Sequence, residues 1–348
     1  MSSMGKRETP LRILIVGAGA VGLFYGSRLH QPQSNVLVSL VCRSNYNAIK
    51  SNGVKLQTHS FGDYIFHPEH VFNSVQAADC IGHWDYVVVT TKALPPSDAS
   101  KSEANLIRPV VSEGTTIVLI QNGIGIEKPY ADAFPSNALL STVTVVSAEQ
   151  LEQGMVRQNR WTRISIGPWN SAGPKRGEER MKEFADILKS GGVKDAEMYD
   201  ERGLQFVRWH KIAINASFNP SSVLSNGASN SGMAADPLLK THILGTMYEV
   251  LRLAEVVLQS PLPSKFATPE KIVESSLRNT AKSEGEASRP SMWYDWAGGK
   301  PLELEVILGN VVREAERVNV EVPRIQSMYA LLYMAQKRRD DANKKAKL

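Results

Sequence analysis

The sequence predicts an α/β protein in two parts: an N-terminal, Rossmann-like doubly wound sheet followed by an all-helical C-terminal domain. Three observations predict it. Short apolar runs alternate with polar or helix-period segments over the first half of the chain. A glycine-spaced turn, Gly17-Ala18-Gly19-Ala20-Val21-Gly22, directly follows the first of those runs. Beyond residue 200 the pattern changes to helical spacing and keeps it.

The elements follow in order. Residues 12–17 (RILIVG) form the continuous apolar run that a strand buried on both faces of a parallel sheet requires. Residues 35–43 (NVLVSLVCR), 86–92 (YVVVTTK) and 115–123 (TTIVLIQNG) repeat that character. Parallel neighbours need crossover connections, which are right-handed, so the alternation reads as βαβ units. Residues 53–68 predict a hairpin inserted between units, and residues 139–150 and 160–168 predict later strands extending the sheet. Residues 169–180 (WNSAGPKRGEER) are polar and turn-rich and predict an exposed loop. Five helix-period stretches fill the second half, with Pro237, Pro269, Pro301 and Pro323 at or just before their predicted starts, where proline is tolerated. The expected domains are 11–200 and 201–340, with flexible termini at 1–10 and 341–348.

Composition narrows the class. The chain has 348 residues, 42% hydrophobic and 22% charged, enough for two domains with their own cores. Its formal charge is +5, and residues 337–348 hold six Lys/Arg against two Asp, or +4 of it. The body is therefore near neutral, without the basic stripe of a nucleic-acid binder. No uncharged apolar run reaches the roughly 18 residues of a membrane span. The basic-then-apolar N-terminus mimics a secretory leader, but the glycine spacing inside it has the better explanation of a ligand-binding turn. Cys42 and Cys80 cannot form a disulfide framework, which points to a reducing, cytoplasmic setting. No Cys/His cluster has metal-ligand spacing, so no metal is expected. The final Ala346-Lys347-Leu348 lies close to the Ser-Lys-Leu peroxisomal address, which makes peroxisomal import a second expectation.

The glycine turn predicts a dinucleotide site. Gly17 makes the tight turn, Gly19 lets a pyrophosphate approach the backbone, and Gly22 lets the following helix pack close to the strand. The helix N-terminus offers free N–H groups and a partial positive charge to phosphate. A carboxylate for a ribose 2′-hydroxyl would be expected at the end of the second strand. The run there is Val41-Cys42-Arg43-Ser44, with a guanidinium in its place. That favours NADP(H), whose 2′-phosphate an arginine fork suits. Lys92 and Asn122 end neighbouring predicted strands, at the edge where such sheets bind ligands.

A second constellation sits in residues 208–220 (RWHKIAINASFNP). Helical geometry stacks Lys211, Asn215 and Asn219 at i, i+4 and i+8, on a narrow polar stripe walled by hydrophobes. An ammonium in such a wall needs an acceptor or a wet cavity. The candidate acceptor is Glu303, which shares a predicted helical arc with Val306, Ile307 and Val311.

With these motifs in order, GAGAVG, VVVTTKA, LIQNGIG, WHKIAINASFNP and PSMWYDWAGGKPLELEVILGN, the chain resembles the ketopantoate reductase (2-dehydropantoate 2-reductase) family, within the 6-phosphogluconate-dehydrogenase-like fold group. The resemblance runs from about Arg12 to Ala335. It implies Lys211 as proton donor, Asn215, Asn219 and Ser291 on substrate, and Glu303 where substrate meets cofactor. It implies Arg43, Lys92, Asn122 and Ala148, with the glycine turn, on NADPH. Glu303 would either orient Lys211 or accept from a substrate hydroxyl. The implied reaction is NADPH-dependent reduction of 2-dehydropantoate to (R)-pantoate, in pantothenate and coenzyme A biosynthesis, in the interdomain cleft of a monomer or homodimer. The sequence departs from the family on the substrate side. The run before Met292 is Ser288-Arg289-Pro290-Ser291, the carboxylate motif is Glu303-Leu304-Glu305, and MWYDWAGG is rich in tryptophan. These departures leave open reduction of another branched 2-oxo acid, or a non-catalytic NADP-binding protein.

Overall fold

The computed structural model describes residues 7–95, 102–169, 174–278 and 288–345. The tripeptide 346–348 lies outside them. The first unit is built on one ten-stranded sheet. Its strands are β1 (Leu11–Val16), β2 (Val36–Val41), β3 (Val54–Thr58), β4 (Gly62–Phe66), β5 (Val71–Phe72), β6 (Tyr86–Val89), β7 (Thr116–Leu119), β8 (Leu139–Glu152), β9 (Met155–Trp169) and β10 (Ala196–Met198). The spatial order is β4-β3-β9-β8-β7-β6-β1-β2-β5, with β10 on β9. From β5 across to β8 every pairing is parallel. The parallel strands stand in the order third, second, first, fourth, fifth, sixth along the chain. That is the doubly wound order, with its switch point between β1 and β6.

The apolar runs become strands because helices cover them. These are α1 (Ala20–Leu29), α2 (Tyr46–Asn52), α3 (Val75–Ala78), α4 (Glu103–Leu106), α5 (Lys128–Ala133) and α6 (Pro174–Ser190). Ile13, Ile15, Leu40, Val88, Val118 and Ile164 from the sheet share a buried core with Leu23 and Phe24 of α1 and Phe184 and Leu188 of α6. The predicted 53–68 hairpin is the antiparallel β3–β4 pair, added at the far edge beside β9.

One expectation needs correction. Residues 174–180, expected in a loop, are the first turns of α6. Their polarity belongs to the solvent side of an amphipathic helix whose large buried side chains begin at Phe184. At the termini, two described features stand out. Arg7 pairs with Glu183 at 2.8 Å, and residues 341–345 are the last turn of a helix that runs to Lys345.

The second unit is helical: α7 (Glu201–Leu224), α8 (Asn230–Ala235), α9 (Pro237–Leu258), α10 (Pro269–Arg278), α11 (Ser291–Ala297), a π-helical turn (Glu305–Gly309), α12 (Asn310–Arg317) and α13 (Pro323–Lys345). Pro237, Pro269 and Pro323 each occupy a first helical position. Ile212, Ala216, Met247, Val250, Leu308, Val311 and Ile325 form its core. No described helix is long and apolar enough to cross a membrane.

The units do not divide at residue 200. Contacts group Met1–Lys92, Pro96–Gln121 and Ile126–Leu204 into the first, and Ala93–Pro95, Asn122–Gly125 and Gln205–Leu348 into the second. Two short segments that follow sheet strands therefore belong with the helices, and they carry much of the candidate site.

Candidate active site

The first unit carries the glycine turn at the start of α1. Gly17 has φ +116°, a left-handed conformation that favours glycine, and a Cβ there would stand 2.7 Å from the Thr91 amide nitrogen. A Cβ on Gly22 would stand 2.3 Å from the Gly17 carbonyl oxygen. Both glycines serve the turn's own packing. A Cβ on Gly19 would meet nothing within 4 Å, so that side of the turn is open. Gly19 is also the N-cap of α1, with no side-chain cap and no acidic residue in the first turn. Open backbone and uncapped N–H groups at one helix start fit a dinucleotide pyrophosphate. Ala18, Ala20 and Val21 pack partly buried against the sheet core.

The other residues expected on the cofactor are placed as follows. Arg43 is exposed, just beyond the end of β2. Ala148 lies on β8 beyond a bulge, opposite Gln158 of β9. Lys92 is partly buried and follows β6. Asn45, which sequence reasoning missed, ties this edge together. Its Nδ2 donates to the Ala18 carbonyl at 2.6 Å, and its Oδ1 accepts from Gln150 Nε2 at 3.0 Å. Burial pushes the neighbouring Cys42 thiol up to about 12, which removes it as a nucleophile near neutral pH.

The second unit holds a hydrogen-bonded chain. Lys211 Nζ on α7 donates to Asn122 Oδ1 at 2.8 Å. Asn122 Nδ2 donates to Glu303 Oε2 at 3.3 Å, and the Ala93 amide donates to Glu303 Oε1 at 3.1 Å. The amide of Asn122 thus sits between ammonium and carboxylate. Burial pushes the Lys211 ammonium down to about 8, the nearby Arg208 charge acts in the same direction, and Glu303 acts against them. The group is then mostly protonated at neutral pH yet a far better acid than an ordinary lysine.

Here the structure corrects two expectations about Glu303. It is not on a helical arc: it precedes the helix, which begins at Leu304, and it is 9% exposed. Nor is it the direct acceptor for Lys211; Asn122, expected on the cofactor, takes that place. Asn215 and Asn219 follow Lys211 by one and two turns, Asn219 buried and Asn215 partly so. Neither side chain hydrogen-bonds to another described residue. Ser291 opens α11 and is exposed, and its side chain makes no hydrogen bond to a described residue. The tryptophans of this region have packing partners. A Cβ on Gly227 would stand 2.6 Å from the Trp293 ring, and the Arg339 guanidinium lies 4.6 Å from the Trp296 ring centre.

Sequence reasoning also missed Arg208 and Asn310. Arg208 is only 2% exposed and donates to the Gly123 carbonyl at 2.9 Å. A second cation one turn before Lys211 was the available signal. Asn310 Nδ2 donates to the Ile124 carbonyl at 2.6 Å, a contact with no local sequence signature.

The glycine turn on a doubly wound sheet and the helical unit with its lysine, amide and carboxylate define an oxidoreductase acting on CH–OH groups with a nicotinamide dinucleotide. Family models described as ketopantoate reductase PanE/ApbA and its C-terminal domain match residues 13–171 and 204–336. The chain belongs to the ketopantoate reductase family. A crystal structure of 2-dehydropantoate 2-reductase from Methylococcus capsulatus is 31% identical, with TM-score 0.77, over 94% of this chain and 98% of that one. A Saccharomyces cerevisiae protein described as uncharacterised is 29% identical over 93% of both chains. A 2-dehydropantoate 2-reductase from Nostoc is 26% identical over 90% of this chain and 92% of its own.

Proposed function

We propose that the protein reduces 2-dehydropantoate to (R)-pantoate with NADPH, in pantothenate and coenzyme A biosynthesis. The observation that carries the reading is the Lys211–Asn122–Glu303 chain, which keeps an acidified ammonium beside the paired amides of α7. The names borne by the Methylococcus and Nostoc relatives support it. When bound, the dinucleotide supplies the hydride. Lys211 stabilises the alkoxide that forms on the keto oxygen and gives it a proton. Asn215 and Asn219 each carry donors and an acceptor, so with Ser291 they hold the substrate's carboxylate and hydroxyl. Glu303 acts through Asn122, fixing which end of that amide faces Lys211. The test is NADPH oxidation across a panel of 2-oxo acids. Ketopantoate should give the highest kcat/KM; a higher value for a simpler branched 2-oxo acid would move the assignment to that substrate.

NADPH is favoured because Arg43 stands exposed beyond β2, where the 2′-phosphate would lie. Removing a charged hydrogen-bonding partner costs about 2 kcal/mol, or about 30-fold in binding. Arg43→Ala should therefore weaken NADPH by about 30-fold while changing NADH little. Titration of both nucleotides by protein fluorescence checks it, and equal losses would reject the 2′-phosphate role.

A further inference from the structure

We propose that Asn122–Gly125 is a positioning strap, and that Asn310 is the residue that locks it where the Asn122 amide meets Lys211. This rests on the reading that Lys211 gives up the proton, and it concerns how that lysine is held.

Three consecutive backbone groups of the strap are each taken by a partner in the helical unit. Arg208 Nη1 donates to the Gly123 carbonyl at 2.9 Å. The Ile124 amide donates to the Val306 carbonyl at 3.0 Å. Asn310 Nδ2 donates to the Ile124 carbonyl at 2.6 Å. Val306 lies in the π turn Glu305–Gly309. A π turn holds one residue more than an α turn, so its carbonyls do not all follow the α ladder, and such turns recur at functional sites. Here the Val306 carbonyl serves the strap.

Asn310 cannot turn its amide around. Arg313 donates to Asn310 Oδ1 from Nη2 at 2.6 Å and from Nε at 3.2 Å. Arg313 is held in turn by Glu305 at 2.8 Å, and the Tyr329 hydroxyl donates to Glu305. With its oxygen on Arg313, the Asn310 amide must present its NH2 to Ile124. This row of side chains ends two residues from Asn122 and reaches neither Lys211 nor Glu303 directly. Asn310 is therefore a positioning residue.

The test uses the full-length protein with Asn310→Asp, which keeps shape and the Arg313 pairing but loses the donor. Arg313→Ala is the second variant; it removes the orienting guanidinium from a half-exposed site and leaves the strap's own bonds in place. Two readouts are taken. One is kcat/KM for NADPH-dependent reduction. The other is the titration of Lys211 in the free protein, by carbon-13 NMR of lysine labelled at Cε, assigned by the signal missing in Lys211→Ala. The charged groups acting on Lys211 are Arg208 and Glu303, and neither is altered; the carboxylate added by Asn310→Asp and the cation lost in Arg313→Ala would each by charge alone raise the Lys211 titration, so a shift to lower pH has the opposite sign to a charge effect. Asn310→Asp should lower kcat/KM about tenfold, the worth of a well-placed hydrogen bond. It should also move the Lys211 titration to lower pH, because a displaced Asn122 no longer stabilises the ammonium. Arg313→Ala should shift both in the same direction by less. A Lys211 titration identical to wild type in both variants would overturn the proposal, whatever happens to kcat/KM. A shifted titration in a protein that turns over no 2-oxo acid would uphold the strap and reject the assigned reaction.

Discussion

Lys211→Ala should lower kcat for 2-oxo-acid reduction by at least about 100-fold, the low end of what a positioned general acid contributes. NADPH affinity should be retained, because the proposed phosphate site is the glycine turn of the first unit. Stability should change little. The alanine leaves Asn122 with its bond to Glu303, and it removes an ammonium that burial penalises. Lys211→Arg sharpens the test. It restores a positive charge, but a guanidinium does not release its proton at accessible pH. If charge alone sufficed, arginine would rescue; proton donation predicts that it does not. Steady-state kinetics and nucleotide titration on the two variants decide the matter: near-normal turnover by Lys211→Ala removes Lys211 from the proposed chemistry, and near-normal turnover by Lys211→Arg removes proton donation and leaves charge stabilisation.

Gly123→Ala should be the most damaging single-methyl change near the site. Gly123 has φ +102°, and a Cβ there would stand 2.3 Å from Val306 Cβ and 2.7 Å from the Val306 carbonyl oxygen. The left-handed backbone and the overlap together cost about 2–4 kcal/mol. The strap cannot move away without breaking the bonds that hold Gly123 and Ile124. Part of the strain should therefore appear as displacement of Asn122, with kcat falling along with the urea midpoint. Equilibrium unfolding and kinetics on one preparation check this. An unchanged midpoint with full activity would show that the strap does not need the close approach.

Much of the first unit was legible because its determinants are local. A strand covered on both faces must be apolar throughout, and residues 12–17, 35–43, 86–92 and 115–123 are nearly so. The glycine turn was legible for a steric reason, since Gly17 and Gly22 stand where a Cβ would overlap the chain. The start of α6 was hidden because the buried residue among its first described turns is Gly177, which adds no apolar side chain from which a period could be read.

The helical unit shows where local signals run out. The arc drawn for Glu303 assumed a helix beginning at Pro301. The helix begins at Leu304 and then widens into a π turn, which shifts every later side chain around the axis. A single inserted residue leaves no periodic trace in the few residues concerned. The place of Asn122 after a strand marks it as a ligand-edge residue, and the family resemblance implies a cofactor role for it. Its bond to Lys211 joins residues 89 apart in sequence, and no pattern within either segment encodes that pairing. Lys211 itself was legible because a lysine among buried hydrophobes demands a partner; which partner depends on tertiary structure alone.

The pH dependence of kcat/KM for NADPH-dependent reduction tests the central claim most directly, because it reports the acid of the free enzyme. The Lys211 ammonium, lowered to about 8 by burial, is the donor below that pH and is lost above it. Measured from about pH 6 to about pH 10, reduction should hold level and then fall in proportion to the ammonium fraction, with its inflection near 8. The reverse oxidation, which needs the neutral amine as base, should rise over the same interval. A reduction rate that stays level through pH 8 and above would contradict Lys211 as the proton donor.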